Sequence, residues 1–328
     1  MITGGAGFIG SAFVRQGAMK KGWRMHVLDS LTYAGNLQRL DEVKRCFSFH
    51  KVDICNKLRV EQAFKMARPD IVVHFAAETH VDRSILYAQQ AVKTNVLGTQ
   101  ILLEAARGAG VEKFVYISTD EVYGEIEKGQ FSEVSPLNPS SPYSVGKASG
   151  DMLTRAYVRT YQFPGVVVRP SNNYGPWQYP EKLLPVVIYK AMRGEAIPVY
   201  GKGINVREWL YVDDCARGVW AVVQKGRVGE AYNIGSGNEC RNIDLIKKIL
   251  NIMGKGEELI GFVKDRPGHD LRYSINCRKI RQELGWQAKM PLEKGLRETV
   301  EFYRNNFKWL DLKVRGLKRF WGQVYQKK

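Results

Sequence analysis

Over its first hundred or so residues the chain alternates between short apolar runs and longer amphipathic stretches. MHVLD, FSFHKVDI, DIVVHFAAETH and KFVYISTDE are rich in Val, Ile and Phe, as parallel strands buried on both faces are. FSFHKVDI predicts a strand ending at Asp53. Between the runs, a segment from about Phe8 to Lys20 and QILLEAARGAGV carry apolar residues at helical spacing. Strand–helix repeats of this kind predict an α/β fold: a doubly wound parallel (Rossmann-type) sheet that gathers ligands at its C-terminal strand ends. After GVVVRPSNNYGP the pattern loosens, Pro and Gly punctuate 175–203, and EWLYVDDCARGVWAVVQKG with EAYNIGSG reads as a helix and strand rejoining the sheet. The expected division is a nucleotide domain of residues 1–171 plus about 205–235, and a smaller α/β substrate lobe of about 172–204 plus 236–310. A basic tail, 311–328, follows.

Composition narrows the class. At 328 residues the chain exceeds the usual size of a single core, and 44% hydrophobic with 25% charged residues is a globular balance. No window approaches the roughly 18 apolar residues of a membrane span. The N-terminus enters a glycine-rich loop directly, so no secretory leader is expected. Cys46, Cys55, Cys215, Cys240 and Cys277 are scattered, without zinc spacing or a disulfide count, which predicts a reduced cytoplasmic setting and no metal. The net charge of +17 is spread along the chain with no nucleic-acid motif, so anionic small ligands are the expected partners, not nucleic acid. The tail KVRGLKRFWGQVYQKK reads as a C-terminal helix packed on the body.

Gly4, Gly7 and Gly10 form a GxxGxxG loop opening the first helix. Glycine serves where backbone must turn sharply and approach a pyrophosphate, which the helix N-terminus then faces. Asp29, ending MHVLD one helix later, would bond the adenosine ribose hydroxyls and repel a 2′-phosphate, so NAD is expected over NADP. Asp53 would reach the adenine edge, and the small Ala76 and Ala77 let a cofactor lie close. Only Met1 and Ile2 precede Thr3, so the first strand is very short, and a truncated or misplaced start is the expected reason.

In YISTDEVYGE two acids, Asp120 and Glu121, stand where an apolar strand ends. Alone they would read as a solvated turn. Above the sheet they fall where a nicotinamide ring would lie. NPSSPYSVGKASGDML adds Tyr143 and Lys147 at i and i+4, sharing one helix face behind a Ser140 or Ser141 cap and Pro142. A neighbouring ammonium and a nicotinamide cation would lower the tyrosine pKa enough for it to act as a base.

The glycine loop, the strand series, Ser118 and Tyr143-x-x-x-Lys147 resemble the extended short-chain dehydrogenase/reductase superfamily. STDEVYGE, SNNYGPWQYPEKLLP, YGKGINVREWLYVDD, YNIGSGNE and DRPGHDLRYSI more narrowly resemble the dTDP-glucose 4,6-dehydratases and, nearly equally, the UDP-glucose 4,6-dehydratases. The resemblance runs from Thr3 to about Trp286. It implies transient oxidation at C4 of a nucleotide-diphosphate sugar, with Tyr143 as base, Lys147 on the nicotinamide ribose and Thr119 orienting the C4 oxygen. Glu121 would remove the C5 proton and Asp120 protonate the departing C6 hydroxyl. Phe8, Ile9, Ile54 and Thr94 complete the expected cofactor contacts. Thr79, Asn172, Lys182, Leu183, Arg207, Asn238, Arg266 and His269 are the expected substrate contacts. A homodimer through helices at about Gln89–Ala109 and Tyr143–Tyr161 is implied. UDP-sugar epimerisation or decarboxylation and a catalytically silent NAD-binding scaffold are the rivals. An epimerase has no use for the acid pair, and a scaffold has no need of Thr119, Asp120, Glu121, Tyr143 and Lys147 together.

Overall fold

A computed structural model describes residues 1–325. Twelve strands occur among them: β1 (Ile2–Thr3), β2 (Met25–Asp29), β3 (Phe47–Lys51), β4 (Ile71–His74), β5 (Lys113–Ile117), β6 (Gly165–Pro170), β7 (Asn172–Tyr174), β8 (Ile197–Tyr200), β9 (Val206–Tyr211), β10 (Ala231–Ile234), β11 (Glu239–Arg241) and β12 (Ile260–Val263). Seven of them form one parallel sheet in the order β10-β6-β5-β4-β1-β2-β3, with helices on both faces. This is the doubly wound α/β fold that the alternating runs predict.

The two-residue β1 is nevertheless central, pairing Ile2 with Val27 and Val73 and Thr3 with Leu28 and His74. Strand β3 stops at Lys51, two residues short of Asp53. The Asp53 carboxylate accepts the Cys55 N–H (2.9 Å), a side-chain turn that competes with further extension. Asn56 then caps helix Lys57–Ala67 through the Arg59 N–H.

Four hydrophobic clusters occur among the described residues, and the two largest bear on the division of the chain. The first lies under the main sheet, where helices Phe8–Ala18 and Val212–Lys225 meet and Trp220 stacks on Phe13 at 4.2 Å. The Trp220 indole N–H also donates to the Phe13 carbonyl (3.0 Å). The second gathers Leu184, Val187, Trp209, Leu245, Ile249, Leu296 and Val300 around β7, β9 and β11, which form a separate three-stranded sheet.

Two segments cross the sequence-based division. β9 lies in this second sheet, although 205–235 reads as returning to the first; only the following helix and β10 rejoin it. Helix Arg278–Leu284 and Trp286, inside 236–310, contribute Ile280, Leu284 and the Trp286 indole to the first core. Lys279 donates to the Ala231 carbonyl (2.8 Å) and Trp286 to the Asp214 carbonyl (3.2 Å), anchoring that segment to the nucleotide side. The tail buries Val314, Leu317, Phe320 and Trp321 in the second core and leaves Arg315, Lys318 and Arg319 exposed, an amphipathic packing. Gln326, Lys327 and Lys328 lie outside the described residues.

Candidate active site

The C-terminal ends of the main strands open into one cleft. At its floor Gly4 has φ +69°, and a Cβ there would stand 2.5 Å from the Ala76 backbone nitrogen. A side chain on Gly10 would run into the Gly4 carbonyl. Both positions therefore require glycine, one for its conformation and one for close approach. Helix Phe8–Ala18 starts from Gly7 with no side chain capping it, which leaves its first N–H groups facing the cleft for an anion. The Asp29 carboxylate takes the Ala6 N–H (3.0 Å) and Leu31 N–H (2.8 Å), so the acid at the end of β2 is held rigidly. Phe8, Ile9, Asp53, Ile54, Ala76, Ala77 and Thr94 line the same cleft.

The acid pair sits in a one-turn helix, Asp120–Tyr123, started by Thr119, whose hydroxyl accepts the Glu121 N–H (3.3 Å) and donates to Asp120 Oδ1 (3.1 Å). Asp120 is 2% exposed, and its Oδ2 has no partner among the described residues. Burial first, then the charges of Glu121 and Glu208, push its pKa well above the usual carboxylate range. Burial also raises Glu121, but Arg266, Arg207 and Lys182 pull it back. Adjacent carboxyls thus lie in unlike fields: burial and like charges favour the protonated form of Asp120, while three cations oppose the same rise at Glu121.

Opposite them, helix Pro142–Tyr161 begins with a reciprocal box between Ser141 and Ser144 and with Pro142 in its first turn. Tyr143 and Lys147 share the face toward the cleft, which both line. Lys147 Nζ lies 4.5 Å over the Tyr116 ring, and burial lowers its pKa to about 7, opposed by Asp151. The Tyr143 phenol is pushed up, not down, by burial and by Glu121, with a Thr119 hydrogen bond in opposition. The expected lowering by the lysine is not what the site shows: burial dominates, and the neighbouring acids Glu121 and Asp120 add to it.

On the substrate side, Lys182 donates to the Thr79 carbonyl (2.6 Å), and both residues line the cleft with Asn172, whose buried Oδ1 has no partner among the described residues. Leu183, Arg207, Asn238, Arg266 and His269 do not belong to this lining. Leu183 opens helix Leu183–Arg193 and packs on the second core. Arg207 donates to the Val206, Leu271 and Asp270 carbonyls and lies 4.1 Å over the Tyr273 ring. The Asn238 carbonyl accepts the Trp209 N–H (3.0 Å). The His269 ring pairs with Asp265 (2.6 Å), with burial lowering its pKa to about 4. Arg266 stands 3.7 Å from Asp82 with its buried Nε unpartnered among the described residues.

Comparison with known proteins agrees with this geometry. The GDP-mannose 4,6 dehydratase family model matches residues 1–299. A probable dTDP-glucose 4,6-dehydratase of Sinorhizobium fredii is 48% identical, covering 94% of this chain and 93% of the relative. A dTDP-glucose 4,6-dehydratase of Neisseria meningitidis is 46% identical, covering 94% of each. The crystal structure of DesIV, a dTDP-glucose 4,6-dehydratase from Streptomyces venezuelae with NAD bound, superposes with a TM-score of 0.91 at 45% identity, covering 95% of this chain and 98% of that one. The chain belongs to the dTDP-glucose 4,6-dehydratase family.

Within this dTDP-glucose 4,6-dehydratase fold, two buried charged residues of the cleft lining escape the motif reading. Arg39, 2% exposed, donates to the Ala6 and Ala34 carbonyls and to that of Trp177, tying the glycine loop to the second lobe. It lies in the 3₁₀ helix Leu37–Val43, which carries no binding motif. Glu181, 4% exposed, accepts from the Tyr33 hydroxyl (3.0 Å) and Arg83 (2.9 Å). Its place beside Lys182 in PEKLLP was the available signal.

Proposed function

We propose that this chain converts dTDP-glucose to dTDP-4-keto-6-deoxyglucose with a retained NAD. The glycine cradle, the uncapped helix start and the carboxylate of Asp29 fit that cofactor: a pyrophosphate needs N–H donors without side chains in the way, and a ribose diol needs a fixed acceptor. When bound, NAD supplies the acceptor for the C4 hydride and later the donor of that hydride to C6. Tyr143 takes the C4 hydroxyl proton, and the nicotinamide's positive charge offsets the burial that otherwise holds the phenol protonated. Lys147 bonds the nicotinamide ribose. Thr119 orients the C4 oxygen. The new ketone acidifies the C5 hydrogen, Glu121 removes it, and Asp120 gives its own proton to the C6 hydroxyl, which leaves as water. Hydride at C6 and a proton at C5 then complete the 4-keto-6-deoxy sugar.

The observation that carries this reading is the unequal tuning of neighbouring acids. Burial and two neighbouring acids raise the Asp120 pKa, whereas three cations oppose the rise at Glu121. Elimination of water needs one acid and one base at adjacent carbons, and a plain epimerisation needs neither. On the sugar side, Asn172 and Lys182 serve the sugar and diphosphate together with Thr79 and Leu183. The cationic groups Arg207 and Arg266, with Asn238 and His269, complete that wall as the nucleotide sugar is enclosed.

The reading includes a homodimer in the cytoplasm. Exposed Tyr87, Val92 and Leu97, beside exposed Val145, Met152 and Tyr161 on helix Pro142–Tyr161, support a helical interface. All five cysteines are free, and among the described residues no helix is long and apolar enough to cross a membrane.

The deciding experiment incubates the purified protein with dTDP-glucose and UDP-glucose in parallel and assays the 4-keto-6-deoxy product. Conversion of dTDP-glucose is expected. Product from UDP-glucose alone would replace the nucleotide, and product from neither would leave a silent binding protein.

A further inference from the structure

Below the cleft lies a polar network that the chemistry above does not use. Asp151 follows Lys147 by one turn on helix Pro142–Tyr161 and is fully buried. Arg169, near the end of β6, is also fully buried, in a strand whose neighbours are Val166, Val167 and Val168. Its Nε and Nη2 grip the Asp151 carboxylate at 2.7 and 2.9 Å, a bidentate ion pair. Its Nη1 donates to the Tyr123 hydroxyl (2.7 Å) and the Glu133 carbonyl (3.0 Å). Tyr123, 1% exposed, is the last residue of the turn that carries Asp120 and Glu121. Its hydroxyl in turn donates to Asn233 Oδ1 on β10 (2.8 Å). One guanidinium therefore holds the helix of Tyr143 and Lys147 with one hand and the acid turn with the other.

Stability does not explain this arrangement. A buried ion pair generally contributes no more than apolar side chains of the same volume, because desolvation consumes the Coulombic gain. In a valine-rich strand an apolar residue is the ordinary occupant. What an ion pair with fixed forks adds is geometry, since it tolerates only one relative placement of the elements it joins.

We propose that Arg169, with Asp151 and Tyr123, is a positioning relay that keeps the Tyr143–Lys147 helix and the Asp120–Glu121 turn in one register over the same sugar. The relay rests on the dehydratase reading, because only a reaction with oxidation at C4 and elimination at C5 and C6 needs two acid–base sets aligned on one substrate. Asp151 also faces Lys147, the other groups around that ammonium being His74, Tyr143 and the Tyr116 ring.

Two variants test the relay. Tyr123→Phe removes one hydroxyl and leaves the ion pair intact. Asp151→Leu with Arg169→Met replaces the pair by apolar groups of similar size and leaves neither of its two charges without the other. With Tyr123→Phe, dTDP-glucose should still reduce bound NAD in a single turnover, while water loss slows about tenfold or more and NADH accumulates, with KM unchanged. In the double variant, loss of the Asp151 charge should move the alkaline limb of kcat to lower pH. If both variants melt as the parent does yet keep its kcat, its pH limb and its low NADH level, the relay is overturned. Failure of the parent protein itself to reduce NAD with dTDP-glucose would refute the function, a separate result.

Discussion

The two walls of the cleft are made by opposite means. The cofactor wall is contiguous and nearly bare: Gly4 to Gly10, Asp29, Asp53 and Ala76 sit at successive strand ends of one sheet and offer backbone N–H groups and space. The sugar wall is made of long charged side chains held by partners far away in sequence. Lys182 is fixed by a carbonyl 103 residues distant, and Glu181 by groups 148 and 98 residues distant. One side offers bare backbone and space, and the other offers charge held in place by long-range contacts. Asp120 and Glu121 stand at the seam, taking their burial from the first wall and their unlike fields from the second.

Four measurements bear on that contrast, in falling order of effect. Replacing Glu121 by Gln should lower turnover by about a hundred- to ten-thousand-fold while NAD and sugar still bind. Exchange of the C5 proton with solvent should vanish; undiminished exchange removes Glu121 from the base role and breaks the seam. Gly4→Ala should weaken NAD binding by about tenfold, since a Cβ at φ +69° carries both strain and a contact with the Ala76 nitrogen. An unchanged NAD affinity in a titration would mean the cofactor wall does not need its bareness.

Asp120→Asn should slow water loss more than the first oxidation, yet stabilise the fold. The carboxyl's folded pKa lies above its unfolded value, so its contribution is fully present below the unfolded pKa and is lost as pH rises toward the folded one. The variant should therefore melt higher than the parent at neutral pH and equally below about pH 3.5. A melting difference independent of pH would contradict the buried, protonated acid. The smallest effect is expected of Ser141→Ala. Loss of the cap on helix Pro142–Tyr161 should cost about 1 kcal/mol of stability with little change in KM, read by denaturant unfolding.

How far the sequence could be read follows the same contrast. The first helix, β2 ending at Asp29, and the Ser141–Pro142–Tyr143 helix start are local features, each specified by neighbours within a turn or two. The end of β3 is misjudged because the Asp53 side chain bonds the backbone two residues on, a choice invisible in an apolar run. EWLY reads as the start of the helix that follows, because it runs straight into VDDCARGVWAVVQKG; that Val206–Tyr211 forms β9, and in which sheet, depends on β7 and β11 arriving alongside. Arg39 carries no motif at all, and Arg207 sits in one yet has its guanidinium bonded to backbone carbonyls.

From the order of its residues alone, this protein settles its strand–helix alternation, its glycine cradle and which acid, tyrosine and lysine stand together, because backbone propensity and short-range spacing act before any distant contact forms. Which of two adjacent carboxyls is the more inclined to hold its proton, which sheet a strand joins, and how one arginine links the Tyr143 helix to the Asp120–Glu121 turn were decided only in the folded molecule. Desolvation and Coulomb fields depend on what surrounds a group in space, and for Asp120 those surroundings include Glu208 and Arg207, brought there from another sheet.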